Sequence, residues 1–281
     1  MKKEELFSLL ASIGISPSKK LGQNFLMDGN LLDFIVRTAA LSKGQHILEI
    51  GPGLGFLTDR LLAEEVSLTA VEYDAKIASY LNDKYDKKIK LVHQDACKID
   101  LDELMKNSSC FRIVSNLPYA ISTPLLSKIT GLKNPPEEMV LLLQKETALR
   151  FISKPKTKDY SAISVKIQAI YNTEYIRSVP PDVFYPKPEV TSGIVKFTKK
   201  QNIPDLETRE KLAILTRTAF LKRRKKLINT IKDIMPENIS EIFKQLNINE
   251  NARPEELPPE IYLKMTKHVQ LTQFNGRLRK I

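Results

Sequence analysis

The sequence predicts an α/β fold, a doubly wound sheet domain followed by a small all-helical domain, and three observations carry that reading. From residue 46 onward, short apolar runs alternate with helically spaced segments at intervals near 20 residues. The first run ends in a cluster of glycines. Strand signals stop near residue 200, whereas helical spacing continues. Parallel neighbours need a crossover long enough to hold a helix, so this alternation implies a parallel sheet covered on both faces. The 281 residues, 42% hydrophobic and 27% charged, can bury a sizeable core and exclude a disulfide-stapled mini-protein.

Taken in order, Lys19-Lys20-Leu21-Gly22-Gln23-Asn24-Phe25-Leu26 reads as an arm leading into the domain. Asn30 is the expected cap of a helix carrying Leu31, Leu32, Ile35, Val36 and Ala39 on one face. Strands are expected at 46–50, 68–72, 89–93, 112–115 and 139–143. Leu57, Leu61 and Leu62, then Ile77, Ala78 and Leu81, give helical spacing between them. Residues 179–188 hold four prolines in ten positions and read as a fixed irregular loop before a strand at 193–198. Beyond Pro204, helical spacing runs through Leu212, Leu215 and Ala219, then Leu227, Ile228, Ile231 and Ile234, then Ile239, Ile242, Phe243 and Leu246. The expected domains are 1–198, including the arm, and 199–281.

Lys and Arg number 44 against 33 Asp and Glu, a net charge of +11 that argues for an anionic partner, nucleic acid or a membrane surface. Residues 199–281 hold 18 basic and 10 acidic residues, so +8 of the excess falls there and +3 on the longer part. No run of roughly 18 apolar residues and no secretory signal at Met1-Lys2-Lys3-Glu4-Glu5 are found. Two cysteines, Cys97 and Cys110, suit a reducing compartment and supply neither a disulfide framework nor a zinc cluster. The expectation is a soluble cytoplasmic protein with no membrane partner.

The first strand ends in Glu49-Ile50-Gly51-Pro52-Gly53-Leu54-Gly55-Phe56. Glycines at a strand-to-helix turn let backbone approach a ligand at the carboxyl end of the sheet. The dinucleotide fingerprint would need glycine where Phe56 stands, so a pyrophosphate loses its main support. The remaining G-x-G-x-G at Gly51, Gly53 and Gly55 is the pattern associated with S-adenosylmethionine. Glu72, 21 residues past Gly51, is placed to accept hydrogen bonds from ribose hydroxyls, and Asp95 to accept one from an adenine amino group. Each could instead be a solvated loop acid, yet three such features fall at successive strand ends.

The fourth strand ends in Ser115-Asn116-Leu117-Pro118-Tyr119. An amino group on an aromatic base is a poor nucleophile because its lone pair is delocalised, so a site that methylates it must place acceptors at its N–H groups. Asn116 offers a side-chain carbonyl, and Leu117 a backbone carbonyl turned outward because Pro118 restricts the residue before it. Tyr119 offers a face on which a base can stack. An ordinary proline turn after a strand is the bland alternative.

These segments, with Gly22-Gln23-Asn24-Phe25-Leu26, Ile121-Ser122-Thr123-Pro124-Leu125-Leu126, Gln144-Lys145-Glu146 and Val179-Pro180-Pro181 through Phe184-Tyr185-Pro186-Lys187-Pro188, resemble the ribosomal RNA adenine dimethyltransferase family. The resemblance runs from about residue 18 to the end, including Phe220 to Asn229 and Arg253 to Leu257. It implies a Rossmann-like S-adenosylmethionine-dependent methyltransferase domain. It also implies dimethylation of N6 on two adjacent adenosines near the 3′ end of small-subunit (16S) ribosomal RNA, coupled to subunit biogenesis. The implied cofactor contacts are Asn24, Leu26, Gly51, Glu72, Asp95 and Asn116. Asn116 to Tyr119 would form the base pocket, with Phe184 stacking on the other face of the adenine. The expected substrate is an immature 30S-type particle and the expected enzyme a monomer. Tyr73, Gln94 and Ser115 depart from the family's usual pattern without removing a functional group.

Cytosine C5 methylation needs a cysteine nucleophile, usually next to proline, but Cys97 precedes Lys98, Cys110 precedes Phe111, and both read as small packed residues. His46, His93 and His268 are scattered and suggest neither a triad nor a metal site. Direct transfer from a sulfonium needs neither. Lys222-Arg223-Arg224-Lys225-Lys226 reads as a phosphate-contacting stretch wrapped around a helix, or else as a solvated helix face. Two rival functions stand beside the leading one: a large-subunit adenine methyltransferase of the resistance type, and a ribosome-assembly factor acting mainly by binding.

Overall fold

The computed structural model describes residues 3–17, 22–108, 110–235 and 238–270. Lys19, Lys20 and Leu21 of the expected arm lie outside them. The chain divides into two compact units, one of residues 1–148 and 173–199, the other of 149–172 and 200–281.

In the first unit, α1 (Lys3–Ser12) and α2 (Gly29–Ala39) precede the sheet. The buried face of α2 is Leu31, Leu32, Ile35, Val36 and Ala39, as its spacing predicts. Its cap is Asp28 rather than Asn30: the Asp28 carboxylate accepts from the Leu31 amide at 2.9 Å, and Asn30 lies inside the helix. Asp28 caps a helix that starts at Gly29, and the apolar spacing from Leu31 onward does not mark that earlier start.

The chain then alternates as β1 (His46–Ile50), α3 (Phe56–Ala63), β2 (Ser67–Glu72), α4 (Ala75–Tyr85), β3 (Lys90–His93), α5 (Leu101–Leu104), β4 (Phe111–Asn116), α6 (Ser122–Ile129) and β5 (Glu138–Gln144). After α7 (Lys145–Ile152) and α8 (Ala162–Ile170) come β6 (Tyr171–Val179) and β7 (Ser192–Lys199). The sheet order is β3-β2-β1-β4-β5-β7-β6. Neighbours from β3 to β5 are parallel, whereas β7 runs antiparallel to β5 from Glu138↔Thr198 to Gln144↔Ser192. The sheet is therefore mixed, not wholly parallel. The segment between β6 and β7 contains no crossover helix, only a turn at Pro181–Val183 and a two-residue strand, and parallel pairing requires a crossover. β5 has five successive buried residues, Met139 to Leu143, as a strand covered on both faces must.

The arm and the proline loop are more ordered than sequence spacing suggests. Phe25–Leu26 pairs antiparallel with Phe184–Tyr185, Phe25 opposite Tyr185 and Leu26 opposite Phe184. The Met27 amide also donates to the Val183 carbonyl at 2.9 Å.

The second unit contains α8, α9 (Leu206–Phe220), α10 (Leu227–Ile231), α11 (Ile239–Gln245) and α12 (Pro259–Met265). Residues 149–172 cluster here, although a boundary at 199 assigns them to the first domain. Their reason for doing so is apolar packing. α8 buries Ile163, Val165, Ile167, Ala169 and Ile170 and contacts α9 and α12. Fully buried Tyr160 donates to the Leu257 carbonyl at 3.0 Å, and Tyr262 to the Pro254 carbonyl at 2.7 Å. The Phe220 ring lies 6.2 Å from each. Buried tyrosines that satisfy their hydroxyls add apolar area without an unpaired polar atom.

Candidate active site

The parallel register brings the ends of four strands to one edge. Ile50 pairs with Val71, Glu72 with His93, and Asn116 with Leu142. β1 and β4 pair only from His46↔Phe111 to Leu48↔Ile113 and then part. In an open α/β sheet such a parting, where strand order reverses, is where ligands bind. The Ile50 amide, left without a ladder partner across the gap, donates to the Ser115 hydroxyl at 2.7 Å. That is a structural use for one of the residues departing from the family's pattern.

The cleft at this parting is lined by residues from 22–26, 49–57, 71–74, 94–96 and 116–121, together with Leu32 and Ile77. Sequence reasoning therefore placed Asn24, Leu26, Gly51, Gly53, Glu72, Asp95, Asn116, Leu117, Pro118 and Tyr119 in one site, and the structure brings them together on its wall. Gly55 sits just behind, with a backbone φ of +82° as the cap of α3. Glycine is required there twice over, because any Cβ would run into the Tyr85 hydroxyl, which itself hydrogen-bonds the Gly55 carbonyl at 2.8 Å.

Glu72 is buried and held at three points. One carboxylate oxygen accepts from the Tyr73 and Asp74 amides at 2.8 Å each, and the other from the Gly53 amide at 3.3 Å. Burial pushes its pKa up, while these N–H groups pull it back. Asp95 accepts from the Cys97 amide through Oδ1 at 2.9 Å, and Lys98 stands 3.7 Å from Oδ2. Tyr73, 59% exposed, also faces the cleft.

At the end of β4, the Asn116 Nδ2 donates to the Asn24 carbonyl at 3.2 Å, and Asn24 Nδ2 donates to the Gly22 carbonyl at 3.2 Å. With its nitrogen held by the arm, Asn116 is left with Oδ1 as acceptor. The Leu117 amide donates to the Leu142 carbonyl at 3.1 Å, fixing the peptide before Pro118. Tyr119 shares a 2.6 Å hydrogen bond with Ser192, which orients its ring. The structure does not bring Phe184 to this cleft. Its ring is 3% exposed and packed in the core, because the ribbon pairing with Leu26 directs both side chains inward. In this conformation Phe184 supports the arm and offers no face to a base.

Sequence reasoning missed one titrating group. Glu49 is 1% exposed, accepts from Thr58 at 2.7 Å, and has its pKa raised to about 8, first by burial and then by Glu72 and Asp59. An acid inside an otherwise apolar strand was the available signal. Cys110 is exposed rather than packed, while Cys97 is half-buried with its thiol pKa pushed up by burial. Among the described residues no group of His, Cys, Asp and Glu could hold a metal ion.

The basic stretch is a turn, not a helix: α9 ends at Phe220, α10 begins at Leu227, and residues 221–225 turn between them. Like charges at successive positions and at i, i+4 disfavour continuing a helix. The Arg223 guanidinium points inward, donating to the Thr157 carbonyl at 3.0 Å and to the Lys158 carbonyl, with Glu255 at 3.7 Å. Lys222, Arg224, Lys225 and Lys226 are exposed.

The charge of the cleft decides its ligand class. Glu49, Glu72, Asp74 and Asp95 line it, and among the described residues no lysine or arginine does. A polyphosphate would meet carboxylates and no described cation, whereas a nucleoside carrying a sulfonium and an ammonium is favoured. Fold and cleft thus define an S-adenosylmethionine-dependent methyltransferase. The model of the ribosomal RNA adenine dimethylase family matches residues 16–271, and the chain belongs to that family. It is 38% identical to ribosomal RNA small subunit methyltransferase A of Chlamydia abortus, over 93% of this chain and 95% of that one. It is 36% identical to the protein of the same name from Malacoplasma penetrans, over 88% and 90%. Two solved structures share the fold. A dimethyladenosine transferase from Plasmodium falciparum has a TM-score of 0.70 at 23% identity, covering 86% of this chain and 95% of that one. The 23S rRNA methyltransferase ErmE has 0.64 at 22% identity, covering 88% and 99%.

Glu49 predicts a pH dependence of stability. Its carboxyl ionises at about 8 in the folded protein and at its ordinary value of 4.5 when unfolded. Its contribution is therefore complete below 4.5 and lost as pH rises through about 8. Thermal melts of the ligand-free protein between about pH 5 and pH 9 should fall more steeply for wild type than for Glu49→Gln. Parallel curves would contradict the assignment.

Proposed function

We propose that this chain is the S-adenosylmethionine-dependent enzyme that dimethylates N6 of two adjacent adenosines near the 3′ end of small-subunit (16S) ribosomal RNA. The observation that supports it best is Asn116, whose Nδ2 is held by the Asn24 carbonyl so that Oδ1 is the acceptor, beside the half-buried ring of Tyr119. Glu72 would hold the cofactor's ribose, Asp95 its adenine, and the turn at Gly51 to Gly55, with Asn24 and Leu26, the remainder. When bound, that cofactor supplies an electrophilic methyl group on a positively charged sulfur. The target adenine leaves its stack, since its edge is out of reach inside a helix, and lies on Tyr119. Asn116 Oδ1 and the Leu117 carbonyl would accept hydrogen bonds from the N6 amino group and face the positive charge that develops there, the proton that N6 sheds after each transfer passing to water, so the protein contributes position and electrostatics. A second transfer needs only one of these acceptors to find an N–H.

The substrate in this reading is an immature 30S-type particle, met by a monomer in the cytoplasm. No described helix is long and apolar enough to cross a membrane. The exposed Lys222, Arg224, Lys225 and Lys226 are read as phosphate contacts, and Arg223 as a structural tie within its own unit.

Asn116→Ala should lower methyl transfer by roughly 10²–10³-fold while circular dichroism stays that of wild type and melting stays cooperative, its midpoint lowered slightly by the lost tie to the Asn24 carbonyl. Turnover near wild type would remove the proposed role. For the basic turn, Lys222→Ala with Arg224→Ala should weaken RNA binding across sequences and reduce the salt slope by about 1 per lost contact. Arg223→Ala should instead lower stability, and an unchanged slope in the double variant would refute phosphate contact.

A further inference from the structure

The turn that carries Asp95 is closed by a residue from outside it. Asp95 begins a single helical turn: its Oδ1 accepts from the Cys97 amide at 2.9 Å, and its backbone carbonyl accepts from the Lys98 and Ile99 amides at 2.9 Å each. One turn of helix leaves its last carbonyls without partners. Here they converge on one ammonium. Lys128 Nζ donates to the carbonyls of Cys97 at 3.1 Å, Ala96 at 3.3 Å and Ile99. A lysine has three N–H donors, and all three have an acceptor here. The cation also sits at the carbonyl end of the turn, where a positive charge is favoured.

Lys128 lies in the last turn of α6, the helix that follows the Asn116 to Tyr119 segment without an intervening loop beyond the turn at Tyr119–Ile121. It is not on the cleft wall, whereas Asp95 and Ala96 are. We propose that Lys128 is a positioning residue for cofactor recognition: by clamping the 95–99 turn onto α6 it sets the Asp95 carboxylate to read the exocyclic amino group of the cofactor's base. This rests on the reading of Asp95 as the acceptor for that amino group. With Oδ1 committed to the Cys97 amide, Oδ2 is the oxygen that meets the base. Lys98, 85% exposed and 3.7 Å away, holds it only weakly because exposed pairs are screened by solvent. The same clamp ties the turn that reads the cofactor to the helix that begins at the base pocket.

The test compares methyl transfer from S-adenosylmethionine with that from its analogue in which hydrogen replaces the 6-amino group, using unmethylated small subunits as acceptor. Wild type should favour the natural cofactor by about tenfold in KM. Lys128→Met should raise the KM for the natural cofactor by a similar factor, leave kcat within about twofold, and erase most of the preference. Lys128→Arg, which restores a multidentate cation, should recover it. If Lys128→Met loses its cooperative melt, Lys128→Gln, with two neutral donors, takes its place and should show a partial loss. A variant that weakens both cofactors equally and keeps the wild-type preference would overturn the proposal, since a purely structural role does just that. A wild-type enzyme indifferent to the 6-amino group would instead remove the Asp95 reading, and this proposal with it.

Discussion

The parting of β1 from β4 beyond Leu48↔Ile113 is the constraint on which the site depends. Strand order reverses there, so two neighbouring strands send their chains to opposite sides, one into the glycine turn and α3, the other into Leu117 to Tyr119 and α6. A gap opens between two carboxyl ends that elsewhere would be closed by a ladder. The cost of an unpaired amide at its floor is removed by Ser115, which accepts from Ile50. Beside the gap, β2 and β3 stay in register and deliver Glu72 and the Asp95 turn. The arm closes it from the other side, pinned by the ribbon of Phe25–Leu26 with Phe184–Tyr185 and by the Asn24 carbonyl on Asn116.

Charge is sorted to match two anion problems of opposite kind. Four acids line the cleft with, among the described residues, no lysine or arginine, which suits a cationic cofactor and disfavours loose phosphate. The turn after α9 exposes four basic side chains, which suits an RNA backbone. The net +11 is a property of the whole chain, and its sign says nothing of the chemistry in the cleft.

Much of this was legible in the sequence because it depends on local pattern. Strands with short apolar runs, helices with one apolar stripe, and the glycine, acid and Asn-Leu-Pro-Tyr signals at strand ends are written in neighbouring residues, and the parallel register then gathers them. What was not legible depends on partners distant in sequence. The Phe184 ring is turned inward by pairing with Leu26, a contact across more than 150 residues that no spacing encodes. Residues 149–172 join the second unit because α8 packs on α9 and α12. Arg223 is one of five basic residues in a row, and its contacts with residues 157, 158 and 255 distinguish it. Glu49 and Lys128 were visible as residue types, but their roles depend on burial and on three carbonyls converging at one point.

In the proposed function the acceptor pair at Asn116 and Leu117 serves an adenine N6 in small-subunit ribosomal RNA. The most direct measurement incubates the protein with methyl-labelled S-adenosylmethionine and unmethylated small subunits, then maps the label by nucleotide. Label is expected on N6 of two adjacent adenosines near the 3′ end of 16S ribosomal RNA, two methyl groups on each. Label on another atom, on large-subunit RNA, or nowhere would contradict it.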